Sequence, residues 1–181
     1  MPLSFDPDGT KVVLICTTNC HLDSENLPPI PSVENNVRTL GKIFRRRDII
    51  GLKGSCVTEI VDPSSSTNLL IQLSKLSKQA TDTFCVYYAG HGIKSPFVSG
   101  LFLATTETTL EECHLNGVEF NKIRQIVFDS PAAKKLLLFD CCYSGEVATE
   151  EMGGAISNVL SSSLQIKGTY SIASTPRNSV A

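Results

Sequence analysis

The feature that most constrains this chain is a recurrence of strand-length apolar runs that do not alternate with polar residues, separated by segments of helical spacing. Lys11 to Thr18 and Thr83 to Ala89 are two such runs, and Ser55 to Val61, which carries Thr58 and Glu59, is a short strand candidate between them. A run that stays apolar at successive positions is buried on both faces, as in a parallel sheet covered on each side. Between them, Ser32 reads as an N-cap for a helix with Val33, Val37, Leu40 and Phe44 on one face. Ser64 to Ser66 cap a second helix, from about Thr67 to Gln79, with Leu69, Leu70, Leu73 and Leu76 at helical spacing. Strand, helix, strand, helix, strand requires right-handed crossovers. The expected fold class is α/β, an open, mainly parallel sheet flanked by helices.

Beyond Ala89 the pattern changes. Ile93 to Thr106 alternates around Ser99-Gly100 and predicts a small β-hairpin laid over the sheet end. Asn116 is expected to cap a helix from about Val118 to Phe128, with Glu119 three residues on. Then Lys135 to Gly145, Lys-Leu-Leu-Leu-Phe-Asp-Cys-Cys-Tyr-Ser-Gly, gives another buried strand that stops abruptly at chemistry-capable groups. Residues 1–10 read as a lead-in, 146–167 as a mobile, acidic, Gly- and Ser-rich connection, and Gly168 to Ser174 as a further strand.

At 181 residues with a formal net charge of -2, the chain suits one domain and carries no broad basic field. Nucleic acid and membrane partners are not expected. The start lacks a secretory pattern and no apolar run reaches spanning length, so a cytoplasmic location is expected. Seven cysteines, an odd number with several inside apolar runs, argue against a disulfide framework. Arg45, Arg46 and Arg47 read as cations facing water at a helix C-terminus rather than as a phosphate site.

His91 lies between two glycines at the exit of the third strand, and Cys142 lies 51 positions on, at the exit of the strand ending in Asp140. In an open α/β sheet, clefts form at the carboxyl ends of strands. If the two strands are neighbours, a thiol and an imidazole meet there, an arrangement for nucleophilic catalysis. The plainer alternative for each residue alone is a turn histidine and a buried cysteine.

Tyr87-Tyr88-Ala89-Gly90-His91-Gly92 and Phe139-Asp140-Cys141-Cys142-Tyr143-Ser144-Gly145 resemble the His-Gly and Asp-x-Cys-x-Ser-Gly signatures of metacaspases and bacterial caspase-like peptidases (orthocaspases), with a His-to-Cys interval of the expected size. The resemblance runs from about Lys11 to Ala181. It implies a large-subunit core over 11–145, the intersubunit connection 146–167, and an incomplete small-subunit start over 168–181, as in a fragment or processed subunit or in a chain whose sheet is completed by a small-subunit chain or regulatory domain. It implies a cysteine endopeptidase with Cys142 as nucleophile, His91 as general acid and base, and backbone N–H groups of Gly92 and Cys142 as the oxyanion hole. Cys141 becomes packing, and no third triad residue is evident.

By the same resemblance Asp140 faces the pocket for the residue before the scissile bond, with Asn36 and Ala89 as its companions. A carboxylate there favours Arg or Lys and repels Asp. Asn36 stands where metacaspases carry an Asp, and the alternative for Asp140 is a cap for the turn at Ser144-Gly145. No Asp occurs after Asp140, whereas Lys167 and Arg177 flank the last strand, so processing by a basic-directed enzyme is expected there.

No cofactor and no metal are expected. Glu107, Glu111 and Glu112 lack the spacing of a calcium site, although a calcium requirement stays open. Cys20-His21 and Cys113-His114 lack a C-x-x-C arm for zinc. No Arg follows Cys142 at phosphatase spacing, and adjacent cysteines make a poor redox pair. The partner expected is a protein or peptide substrate. The alternative function is a catalytically idle caspase-fold interaction or assembly module.

Overall fold

The computed structural model describes residues 6–95, 97–141, 143–144 and 169–173. Five strands form the main sheet: β1 (Lys11–Cys16), β2 (Val57–Val61), β3 (Thr83–Ala89), β7 (Lys134–Asp140) and β9 (Thr169–Ala173), in the order β2-β1-β3-β7-β9. Every pairing is parallel. The non-alternating runs follow from this arrangement, because helices cover both faces.

Alternate residues of each strand enter different cores. Val13 and Ile15 of β1, Phe84, Val86 and Tyr88 of β3, and Leu137 and Phe139 of β7 join one cluster. They pack there with Leu69 and Leu73 of α2 (Ser66–Ser77) and with Phe120, Ile123 and Val127 of α4 (Phe120–Phe128). Val12, Leu14 and Cys16, with Cys85, Tyr87 and Ala89, pack on the other face against Val33 and Val37 of α1 (Ser32–Arg45). The side-chain period of two thus divides one apolar run between two cores.

The expected hairpin is present as β4 (Gly92–Lys94) and β5 (Leu101–Leu103), antiparallel, but it belongs to a larger unit. Together with β6 (Val118–Glu119) and β8 (Tyr143–Ser144) it makes a four-stranded sheet in the order β6-β5-β4-β8. Val118 and Glu119 pair with Leu103 and Phe102, so α4 begins only at Phe120. The helical signal at Val118 is overridden by strand pairing that no local pattern reports. Asn116 consequently does not cap α4. It ends the one-turn α3 (Cys113–Asn116), and its side chain accepts from the Thr109 amide at 3.3 Å.

Capping differs at α1 too, where Pro31 occupies the N-cap and Ser32 is the first helical residue, without a side-chain cap bond. In α2 the serines act as expected, with Ser65 accepting from the Asn68 amide at 3.2 Å. Arg45 does not simply face water. Its guanidinium pairs with Glu59 and donates to the Val57 carbonyl at 3.1 Å, tying α1 to β2. Arg46 pairs with Asp48 nearby. Among the described residues no helix is long and apolar enough to cross a membrane.

Candidate active site

Three strands of the main sheet end level with one another. Cys16 is the register partner of Ala89, and Ala89 that of Asp140, so β1, β3 and β7 deliver their last residues to one edge. The chain turns at once after Ala89. Gly90 has φ +153°, and a Cβ there would meet the Tyr88 hydroxyl at 2.7 Å and the Thr17 carbonyl at 3.1 Å, so only glycine fits.

That turn delivers His91, which is only 6% exposed. Its carbonyl accepts from the Tyr88 hydroxyl and the Ala104 amide, each at 3.0 Å, which fixes the backbone. Its Nε2 lies 2.7 Å from the carbonyl oxygen of Pro28. A carbonyl can only accept, so Nε2 carries the hydrogen and Nδ1 of the neutral ring is the basic nitrogen. The Pro28 carbonyl thus orients the imidazole, a partner that the sequence does not reveal. Its part is played by a backbone atom, which leaves no side-chain signature.

Gly92 opens β4, where a Cβ would lie 3.1 Å from the Cys141 sulfur. Cys141 is 7% exposed and belongs to the core cluster shared by β7 and α4. On the other side of position 142, Tyr143 is the register partner of Gly92 and Ser144 that of Ile93. The chain therefore leaves β7 at Asp140 and pairs from Tyr143 with β4, the strand that begins directly after His91. Cys142 lies outside the described residues, as do Lys167, Arg177 and the connection 146–167.

Asp140 is exposed at the end of β7. Its Oδ2 accepts from the Tyr87 hydroxyl at 3.2 Å and from Nδ2 of Asn36, on α1, at 3.4 Å. Burial, and then the Asp140 carboxylate, push the Tyr87 hydroxyl up to about 12, so it remains a donor at any ordinary pH. Asn36 and Asp140 are brought together across 104 positions. Ala89 is fully buried in the core beneath them. Tyr87 is the member of this group that sequence reading missed, since an apolar run of strand length conceals which of its aromatics carries a directed hydroxyl.

Three other described thiols are poor nucleophiles. Burial pushes Cys16 and Cys85 up to about 12 and Cys20 to about 11. Cys20 and Cys113 share a third small core, while the His114 ring sits edge-on to Phe97 at 5.6 Å. Among the described residues no three His, Cys, Asp or Glu side chains gather in a way that could hold a metal ion.

A comparison with protein families matches residues 10–180 to the caspase domain. No curated protein matches the chain.

Proposed function

The chain belongs to the caspase domain family, and we propose that it is a cysteine endopeptidase in which Cys142 attacks the substrate and His91 moves the protons. The observation that carries this reading is the geometry at His91. A buried imidazole at a strand exit has its Nε2–H held by Pro28 at 2.7 Å, and the residues flanking Cys142 lie alongside Gly92, the next residue in the chain.

In this mechanism Nδ1 of His91 takes the thiol proton, and the Cys142 sulfur adds to the scissile carbonyl carbon. The backbone N–H groups of Gly92 and Cys142 receive the developing oxyanion. Each such donor is worth roughly 3 to 4 kcal/mol in a comparable hydrolase. The imidazolium then returns its proton to the departing amine, leaving a thioester on Cys142. Water adds to the thioester as Nδ1 accepts its proton, and the acid product and the thiol are regenerated.

Asp140, supported by Tyr87 and Asn36, is the proposed recognition group for Arg or Lys before the scissile bond. A carboxylate whose Oδ2 already accepts two hydrogen bonds keeps its orientation and still presents Oδ1 to a cation. Lys167 and Arg177 are proposed processing positions on either side of β9, and cutting after Lys167 would leave that strand whole.

A positional-scanning library of peptide amides, run with and without calcium, tests this reading. Turnover restricted to Arg or Lys before the cleaved bond is the expected result. Preference for Asp there would overturn the pocket assignment. No turnover of any member would favour an idle assembly module.

A further inference from the structure

Asp62 is the one non-glycine residue with a left-handed backbone among the described residues, at φ +52°. It follows β2 directly, at the same sheet edge as the candidate site. A carboxylate in a sparsely populated conformation signals a constraint imposed from elsewhere. Here the constraint is visible. The Asp62 amide donates to the Cys16 carbonyl at 2.8 Å. Its Oδ1 accepts from the Thr18 amide at 2.6 Å and its Oδ2 from the Thr18 hydroxyl at 2.8 Å. An ordinary turn aspartate bonds to its own backbone two residues on. This one instead reaches across 44 positions and uses both oxygens on one residue.

Thr18 passes the restraint on. Its carbonyl accepts from the Ile30 amide at 2.7 Å, closing the loop that begins after β1 and leads to α1. Two residues before Ile30 stands Pro28, whose carbonyl holds Nε2 of His91 at 2.7 Å. The first half of the loop is fastened separately to the connection that follows β5, where the His21 amide donates to the Thr106 carbonyl at 3.0 Å and Asp23 accepts from the Leu110 amide at 2.8 Å. The half that carries Pro28 is held on one side by the buried Leu27, whose amide donates to the Asp23 carbonyl at 2.9 Å, and on the other by Thr18.

We propose that Asp62 is a positioning residue for His91, acting through Thr18, Ile30 and Pro28 to hold the imidazole in its Nε2–H tautomer. The inference rests on the reading of His91 as the proton-transfer residue, and nothing in it requires Asp62 to touch substrate. If Asp62 lets go of Thr18, the Pro28 carbonyl shifts and the ring can rotate or change tautomer, which lowers the rate and spares substrate binding.

Two variants and two readouts test it. Asp62→Gly keeps the left-handed backbone and removes both acceptors, while Asp62→Asn keeps the backbone and one acceptor. On a peptidyl-arginine amide, Asp62→Gly is expected to lower kcat roughly 10- to 100-fold, as a small misplacement does, with KM within about twofold and a smaller loss in Asp62→Asn. Nitrogen-15 NMR of the His91 ring, recorded in the Cys142→Ala background, is expected to show the Nε2–H tautomer with Asp62 and a mixture in Asp62→Gly. Wild-type kcat together with an unchanged ring spectrum in Asp62→Gly overturns the proposal. If Asp62→Gly does not fold, the same result in Asp62→Asn overturns it. The ring spectrum needs no turnover, so failure of the peptidase reading is distinguished from failure of this one.

Discussion

The Pro28 carbonyl and Nε2 of His91 stand 2.7 Å apart across 63 positions of sequence. This contact orients a ring that is otherwise sunk beneath the surface, and it determines which nitrogen can act as base. His91→Ala is therefore expected to lower kcat by about 10²- to 10⁴-fold, the usual contribution of a positioned acid–base group. It should also destabilise the fold by about 1 to 3 kcal/mol, because the Pro28 carbonyl loses its donor. Steady-state kinetics and urea denaturation of the same sample check both halves.

Variants at Asp140 and Tyr87 test the proposed recognition apart from the chemistry. Asp140→Ala is expected to reduce kcat/KM for Arg and Lys substrates by roughly 100-fold or more, since the charge partner is removed. Tyr87→Phe keeps the ring and removes one donor to Oδ2, so a smaller effect, on the order of tenfold and mainly in KM, is expected. Equal losses of kcat in both variants would instead make the pair part of the proton-transfer apparatus.

The fold was legible wherever the signal was local and repeated. Thr83 to Ala89 is a strand over the span read from sequence, and the His-Gly and Asp-Cys-Cys exits do belong to adjacent strands, with Ala89 opposite Asp140. What escaped reading depends on distant partners. Val118 and Glu119 look helical until Leu103 and Phe102 pair with them. Arg45 looks like a solvated helix end until Glu59 comes beside it. Pro28 acts through a carbonyl, the group that every residue has, and Tyr87 through a hydroxyl whose direction only the tertiary fold defines.

Gly90 offers a test of the turn that carries the histidine. A methyl group there meets the Tyr88 hydroxyl at 2.7 Å, and the backbone would remain at φ +153°. Gly90→Ala is expected to destabilise the protein by about 1 to 3 kcal/mol. Tyr88→Phe in the same chain should recover little of that loss, since it removes the closest atom but also the buried hydroxyl that bonds the His91 carbonyl, and leaves the backbone strain. Denaturation midpoints of the single and double variants check this.

Stability should decline in alkali through Cys85. Burial raises its thiol from 9.0 to about 12, so the folded state holds the proton more tightly than the unfolded chain does. That contribution is fully present below pH 9 and is lost as pH rises towards 12. Tyr87, raised from 10.0 to about 12, adds to the decline above pH 10. Urea midpoints measured from pH 8 to 11 should fall, and Cys85→Ala should make the fall shallower without abolishing it, because burial raises Cys16 and Cys20 as well.

The most direct measurement is peptide-level mass spectrometry after reaction with a peptidyl-arginine chloromethyl ketone, comparing the native protein with His91→Ala. Every described cysteine is buried. One adduct on Cys142, formed quickly in the native protein and slowly in His91→Ala, is the expected result. An adduct on Cys141, or labelling of Cys142 at the same rate without His91, would contradict the assignment of the catalytic pair.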